Sequence, residues 1–196
     1  KYDVGGKLEL SEKGYFLKEW LKDLETGDNN FQYQSYKVSE ITPHFPTKIA
    51  YWTGKALPAK GIKISFSYTH PELSGFALEV HYEIFDNLPL ISKYLTIDNQ
   101  GNRTYQLDQV KHEMLAVVEE ESAVVGATDK MKKQHQLYVE NNFAFNNAMH
   151  AELSNQASHW KMDSSYTSQV NYNYETPAVL EIYPEKGVGI SLGPGD

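Results

Sequence analysis

The sequence predicts an all-β fold, an antiparallel β-sandwich, and three observations lead to this prediction. Apolar and polar residues alternate with a period of two over long stretches between Gly61 and Asp98, as in strands that bury one face. Clusters of Gly, Asn and Pro divide the chain at short intervals, in the pattern of turns between many short strands. Aromatic residues, which favour half-buried pleated surfaces, make up 13% of the chain.

The clearest element of this fold is a hairpin. Residues 76–85 and 90–98 are predicted strands on either side of a turn at 86–89. In antiparallel register, one face carries the pairs Ile84–Ile91, Tyr82–Lys93, Val80–Leu95 and Leu78–Ile97. The other face carries the pairs Glu83–Ser92, His81–Tyr94 and Glu79–Thr96. A slip of one residue would move every side chain to the opposite face, so we expect this register, with the first face forming the core.

Lys93 is an exception on the predicted apolar face, because a lysine is rarely buried without a partner. Three arrangements would stabilise the Lys93 ammonium group. It could form an ion pair with a carboxylate such as Glu113, lie over the Tyr82 ring, or reach solvent at the rim of the sheet. We prefer a structural ion pair to a role in a functional site.

Other segments carry weaker patterns. The apolar residues of 15–24 fall on one helical stripe, which predicts a short N-terminal helix, with a strand pair as the alternative. Residues 28–60 are predicted to be loops and short strands, and the drifting alternation of 105–121 indicates either a bulge or two strands. Further strands are expected at 47–52, 61–69, 137–145, 170–175, 179–183 and 188–192. Because the turn formers of 193–196 follow the last strand, we expect 1–196 to be one domain that ends there.

Composition and charge exclude several classes of function. The chain has no Cys, so it forms neither disulfides nor thiolate metal sites. Its net charge of −8 argues against nucleic acid and anionic membrane surfaces as partners, since both are bound mainly through Lys and Arg. No apolar run approaches the ~20 residues that span a bilayer. A neutral partner such as a glycan fits this charge.

Motifs for catalysis, metals and cofactors are missing from the sequence, and we assign no catalytic residue, metal or cofactor. A glycosidase needs two carboxylates, one to protonate the leaving oxygen and one to attack or to activate water. Glu79 with Glu83, or Glu113 with Asp163, are the available pairs. Sequence spacing does not determine the distance between two carboxyl groups, so neither pair is assigned this role.

Two groups of residues are candidates for carbohydrate binding. Aromatic rings mixed with amides and carboxylates can stack on sugar C–H faces and hydrogen-bond to hydroxyls. His81 and Glu83 lie on one predicted strand face with Glu79, where a polar, solvated sheet face is the alternative. The second group could equally be a Tyr-rich core strand with a polar outer face. It consists of Trp160, Asp163, Tyr166, Gln169, Asn171 and Tyr172.

Two stretches together resemble a known family. Residues 80–97 contain a strand pair with the pattern Tyr-Glu-Ile-Phe-Asp-Asn-Leu-Pro-Leu-Ile-Ser-Lys, followed by Asn99. Residues 160–172 read Trp-Lys-Met-Asp-Ser-Ser-Tyr-Thr-Ser-Gln-Val-Asn-Tyr. They resemble the N-terminal β-sandwich of bacterial melibiase-like, α-galactosidase-type glycoside hydrolases, over less than half of the chain.

The resemblance implies a galactose-mutarotase-like super-sandwich that precedes a catalytic (β/α)₈ barrel. In such enzymes the catalytic carboxylates lie in the barrel, so this chain would be a non-catalytic accessory domain. It would pack against a C-terminal catalytic domain of the same polypeptide and contribute to carbohydrate binding. A periplasmic or secreted location in a bacterium is the corresponding expectation.

Two alternatives to the accessory domain remain open. A free-standing carbohydrate-binding module would expose an aromatic platform, with Trp52, Trp160 or Tyr94 facing solvent. An aldose-epimerase-like enzyme would need a His acid and a Glu base converging on one sugar, for which His81 with Glu83 or Glu113 are the candidates.

Overall fold

The computed structural model describes residues 2–3, 15–16, 27–42, 60–116, 137–142, 157–162 and 177–196. All regular secondary structure in these ranges is β-strand, and the registered strand pairs run antiparallel. The prediction of an all-β antiparallel fold is therefore confirmed. The face-to-face packing of two sheets, which a sandwich also implies, stays a prediction.

The strands of the described ranges are mostly short and separated by turns. In chain order they are β1 (Tyr2–Asp3), β2 (Tyr15–Phe16), β3 (Gln32–Glu40), β4 (Gly61–Thr69), β5 (Phe76–Phe85), β6 (Ile91–Asn99), β7 (Tyr105–Leu107), β8 (Glu113–Ala116), β9 (Ser158–Met162), β10 (Pro177–Ile182) and β11 (Ile190–Leu192). No helix in the described part of the chain is long and apolar enough to cross a membrane.

The predicted N-terminal helix is wrong at its first two residues. Strand β2 pairs antiparallel with β1, so Tyr15 and Phe16 belong to the strand pair that was the alternative to the helix. Backbone pairing to a distant strand has prevailed here over the local helical stripe, since propensity is easily overridden by tertiary pairing. Residues 17–24 of that prediction, like the strands expected at 47–52 and 170–175, lie outside the described residues.

Contacts between Cα atoms group the chain into two compact units. One unit comprises Lys1–Glu25 and Gln106–Ile190, and the other comprises Thr26–Tyr105 and Ser191–Asp196. The main sheet of the first is three-stranded, in the order β8-β10-β9, and that of the second is four-stranded, in the order β3-β4-β5-β6. Strands β7 and β11 form a further two-stranded sheet. The expectation that 1–196 is one domain stays a prediction.

The four-stranded sheet is an antiparallel meander in which β5 occupies an inner position. Strand β5 pairs with β6 in the register expected from sequence: Ile84 lies opposite Ile91, and His81 lies opposite Tyr94. The same strand pairs with β4 without a register shift, from Gly61 opposite Phe85 to Thr69 opposite Ala77. Because neither ladder is shifted, one complete set of side chains lies on each face of the sheet.

The buried side chains of this sheet are not mainly on the expected face. Glu83 and His81, on the polar face, retain only 3% and 5% of their exposure, whereas Ile91, on the apolar face, is 67% exposed. The prediction that the apolar face forms the core is therefore wrong at Ile84 and Ile91. Burial need not follow hydropathy when a buried polar group has hydrogen-bond partners, as His81 does in the hydroxyls of Ser65 and Thr96.

The three-stranded sheet of the first unit is centred on β10, where Val179 and Leu180 are almost fully buried. Of the two alternatives for 105–121, two separate strands are confirmed, β7 and β8. The strand expected at 137–145 is wrong for 137–142, which have no regular secondary structure. Strand β9, which contains Trp160, was not predicted.

Asn99, at the end of β6, fastens the last residues of the chain to the four-stranded sheet. Its side-chain amide donates to the carbonyl oxygens of Arg103, Leu192 and Gly193 at 2.8, 3.0 and 2.9 Å. Its side-chain oxygen accepts from the Gly101 amide at 3.1 Å. Asn99 itself is fully buried, so its side chain meets its hydrogen-bonding needs within the protein.

Replacement of Asn99 by Ala should lower the free energy of unfolding by about 2–4 kcal/mol, because four backbone groups lose the hydrogen bonds of this buried side chain. Urea unfolding monitored by tryptophan fluorescence measures this. Asn102→Ala, an exposed amide in the same turn, is the matched control and should change stability by less than about 0.5 kcal/mol. Equal unfolding midpoints for the two variants would contradict the anchoring role.

Candidate functional site

The residues proposed for carbohydrate binding do not all belong to one compact unit. Trp160 is half-buried in β9, in the first unit, whereas His81 and Glu83 are buried in β5, in the second. The other five residues, Asp163, Tyr166, Gln169, Asn171 and Tyr172, lie outside the described residues, as does Trp52.

His81 is the centre of a polar cluster on one face of the four-stranded sheet. Its Nδ1 is hydrogen-bonded to the Ser65 hydroxyl at 2.7 Å, and its Nε2 to the Thr96 hydroxyl at 2.5 Å. Because a hydroxyl can donate or accept, both bonds form with either neutral tautomer of the ring. The ring also stacks on its cross-strand partner Tyr94, with centroids 4.4 Å apart and planes inclined by 19°.

Two carboxylates complete the cluster. Glu79 accepts a hydrogen bond from the Ser67 hydroxyl at 3.0 Å, and its other oxygen lies 3.6 Å from His81 Nε2. Burial raises the pKa of the Tyr94 phenol, and the negative charges of Glu83 and Glu79 raise it further. We call Ser65, Ser67, Glu79, His81, Glu83, Tyr94 and Thr96 the polar cluster.

The polar cluster is built as a structural network. Both His81 ring nitrogens are already hydrogen-bonded within the sheet, and the burial of His81 and Glu83 leaves them little surface for a sugar. The alternative expectation, a polar, solvated face, is wrong for His81 and Glu83 for the same reason, whereas the Glu79 side chain is 46% exposed. Within the described ranges no group of three or more His, Asp or Glu side chains could hold a metal ion.

Replacement of His81 by Ala should destabilise the protein by about 3 kcal/mol, since the Ser65 and Thr96 hydroxyls lose their shared partner and the Tyr94 ring loses its stacking partner. His81→Gln should recover part of the loss, because an amide can still donate and accept. Chemical denaturation measures both. Ser35→Ala, an exposed hydroxyl on β3, serves as control, and an unfolding midpoint for His81→Ala equal to that of the control would contradict a structural role.

The opposite face of the same sheet carries a set of aromatic rings on β3 and β4. Tyr33 lies directly opposite Tyr68, and Tyr36 lies directly opposite Phe66. The ring centroids of the two pairs are 5.9 and 6.4 Å apart. Residues 66 and 68 are two apart on one strand, so both pairs are neighbours on one face. We call Tyr33, Tyr36, Phe66 and Tyr68 the aromatic array.

A β-bulge is what brings both β3 tyrosines to this face. Residues three apart on a regular strand point to opposite faces, so Tyr33 and Tyr36 would otherwise be separated by the sheet. The register of β3 against β4 shifts between Tyr33 and Ser35, which leaves Gln34 as the extra residue. Because of this extra residue, Tyr33 and Tyr36 lie on the same face of the sheet. Their side chains are 53% and 64% exposed, respectively.

Tyr82 and Lys93 extend the array across the sheet. The Tyr82 ring meets Phe66 edge-on at 6.2 Å, and Lys93 Nζ lies 5.3 Å from the Tyr82 centroid. The cation–π contact with Tyr82, one of the three arrangements considered for Lys93, is therefore observed. The preferred ion pair stays a prediction.

Aliphatic residues occupy the other end of this face, beside the 86–90 turn. Ile62, Ile84 and Ile91 lie opposite one another on three successive strands, and all three are exposed. Leu88 and Leu90, in the turn, are exposed as well. Because contiguous exposed apolar patches mark interaction surfaces, this cluster is a second candidate surface. We call Ile62, Ile84, Leu88, Leu90 and Ile91 the aliphatic end.

Sequence analysis missed the aromatic array because the whole of 28–60 lacks a sustained two-residue period. The apolar residues Tyr33, Tyr36 and Val38 change parity at the bulge, which hides the strand from a search for strict alternation. A search allowing one inserted residue would have found β3. Tyr94, which was expected to form such a platform, is half-buried against His81 instead.

A separate ionic cluster lies in the three-stranded sheet of the first unit. Glu181, on the central strand β10, is buried, and its Oε1 accepts hydrogen bonds from Lys111 and Lys161 at 2.9 and 2.8 Å. Burial alone would raise the pKa of this carboxyl, but the hydrogen bonds and charges of the two lysines outweigh it and lower the pKa. A buried carboxylate held between two lysines is typical of a structural ion pair.

Because the pKa of Glu181 is lowered on folding, its carboxylate stabilises the folded state above the unfolded-state value of about 4.5 and loses this effect as the pH falls through the folded-state pKa. The stability difference between wild type and Glu181→Gln should therefore be largest at neutral pH and shrink in acid. Urea unfolding between neutral pH and about pH 3 measures it. A difference that is constant over this range would contradict the ionic role.

No protein-family model, no curated protein and no solved structure matches this chain. The resemblance to melibiase-type glycoside hydrolases therefore rests on the two sequence patterns at 80–97 and 160–172.

Proposed function

We propose that this chain is a non-catalytic accessory domain of a glycoside hydrolase, which packs against a catalytic domain of the same polypeptide and assists in carbohydrate binding. The carbohydrate context comes from the resemblance of the two sequence patterns. The observation that carries the accessory role is the aliphatic end, where Ile62, Ile84 and Ile91 are exposed in one row across three strands and Leu88 and Leu90 are exposed in the adjoining turn.

The aliphatic end suits a protein partner better than a sugar. Its side chains are branched hydrocarbons without hydrogen-bonding groups, so they cannot satisfy the hydroxyls of a saccharide. Exposed aliphatic surface gains free energy when another apolar surface removes it from water, at roughly 25 cal/mol per Å². Ile62, Ile84 and Ile91 extend across three hydrogen-bonded strands, so the surface is presented by a regular sheet and not by a loop. A rigid apolar surface of this kind is typical of a packing interface between domains.

The aldose-epimerase-like alternative has less support. Such an enzyme needs an acid and a base that both reach the sugar, whereas His81 and Glu83 are buried. The Glu113 carboxylate accepts a hydrogen bond from the neighbouring Met114 amide at 2.9 Å and belongs to the other unit. The free-standing module is favoured by a specific observation, the exposed aromatic array.

The accessory role can be tested by comparing this chain alone with the same chain joined to a melibiase-type catalytic barrel. We expect the joined barrel to raise the thermal unfolding midpoint of the domain, because the aliphatic end becomes covered. Ile91→Asp should abolish most of that gain and leave the isolated chain within about 0.5 kcal/mol of wild type, since Ile91 is largely exposed there. Differential scanning calorimetry measures both quantities.

Ile190→Asp is the matched control, because Ile190 is also an exposed strand isoleucine but belongs to the other compact unit. It should leave the gain in unfolding midpoint unchanged. Two outcomes would overturn the proposal. The first is a thermal unfolding midpoint that the joined barrel does not raise, and the second is catalytic hydrolysis of galactosides by the isolated chain.

A further inference from the structure

We propose that the aromatic array binds a neutral saccharide chain, with one sugar ring stacked against the Tyr36–Phe66 pair and the next beside the Tyr33–Tyr68 pair. The inference rests on the carbohydrate context of the proposed function and deepens it by assigning a site and a ligand class. It uses a different surface from the aliphatic end.

The arrangement of the four rings is the first argument. Two cross-strand pairs lie side by side on one face, so the array provides two successive aromatic positions along β3 and β4. A saccharide chain also presents successive rings, each with an apolar face of C–H bonds. One aromatic pair for each sugar ring is therefore a geometrical match between a repeating ligand and a repeating surface.

Ring orientation distinguishes the two positions. The Tyr36 and Phe66 planes are inclined by 38°, whereas the Tyr33 and Tyr68 planes are inclined by 68°. The first pair is closer to a flat platform and suits stacking, while the second pair is T-shaped and offers a floor with a side wall. Tyr82, inclined by 82° to Phe66, provides a similar wall beside the first position.

The polar groups of the array indicate a sugar and not an apolar protein surface. Three of the four rings are tyrosines, and each carries a hydroxyl that can donate and accept. A saccharide offers C–H faces to the rings and hydroxyls to the phenols at the same time. A purely aliphatic partner would leave the phenols without partners and lose free energy for each one that it buried.

The net charge restricts the class of ligand, and the bulge affects which rings a ligand reaches on this face. The net charge of −8 opposes polyanionic glycans, so a neutral saccharide is the ligand class that the chain accommodates. The bulge at Gln34 also turns the exposed Tyr33 and Tyr36 to the same face, and β3 is an edge strand of the sheet that the described residues form. Bulges at sheet edges commonly re-aim side chains at functional sites.

The experiment is affinity gel electrophoresis of the full chain in gels containing neutral soluble polysaccharides, galactomannan and xyloglucan, with isothermal titration of their oligosaccharides. We expect retardation by at least one of them and saturable binding. Tyr36→Ala should weaken the affinity on the order of tenfold, and Tyr33→Ala should also weaken it, by less. Tyr36→Phe keeps the ring and should retain most of the affinity.

Tyr138→Ala is the matched control, since Tyr138 is 92% exposed and lies in the other unit. It should leave the affinity unchanged, and so should Ile91→Asp at the aliphatic end. Circular dichroism and urea unfolding of each variant confirm that the fold is retained. If Tyr36→Ala does not fold, Tyr33→Ala and Tyr36→Phe test the inference instead. Stacking predicts that Tyr33→Ala loses affinity and that Tyr36→Phe retains it.

Four results would overturn the inference. Two concern binding of neutral polysaccharides: no retardation of well-folded wild type by either one, or an affinity that Tyr36→Ala and Tyr33→Ala leave unchanged. The other two are binding only to an acidic polymer such as heparin, and a dimer in sedimentation analysis that Tyr36→Ala dissociates. The last would assign the array to a second copy of this chain. These results are independent of the proposed accessory role, because the stabilisation by a joined barrel is measured without a saccharide and through Ile91.

Discussion

Strand β5 pairs along its whole length with β4 on one side and β6 on the other, and the second unit depends on this unshifted double pairing. The pairing puts Ser65, His81 and Tyr94 in one row across three strands, close enough for a hydrogen bond and a ring stack. It also puts Ile62, Ile84 and Ile91 in one row on the other face. A slip of one residue in either ladder would destroy both rows at once.

The polar row shows how a sheet can bury charged and polar residues. Desolvation of His81 is costly, but the hydroxyls of Ser65 and Thr96 on the neighbouring strands lie at hydrogen-bond distance from its ring. Glu181 meets the same requirement in the three-stranded sheet, through two lysines from flanking segments. His81 and Glu181 thus both have hydrogen-bond partners within the protein.

Two surfaces of the four-stranded sheet fit the accessory role together. The aliphatic end carries no polar groups, whereas the aromatic array combines rings with hydroxyls. A domain that packs on a partner through one end of a sheet and holds a saccharide at the other would bring ligand close to that partner. Their separation on one face means that a mutation can alter one of the two proposed surfaces while the other is kept.

The sequence by itself determined the all-β class, the β5–β6 register and the boundaries of β4 and β5, because a two-residue period on a pleated strand allows only one pairing that keeps both faces consistent. It did not determine which face is buried, since His81 and Glu83 are buried while Ile84 and Ile91 are exposed, against the order that hydropathy indicates. Nor did it determine the aromatic array. Tyr33 and Tyr36 share a face only because the bulge at Gln34 changes the parity of β3, and a bulge is a property of the pairing between two strands and not of either strand alone.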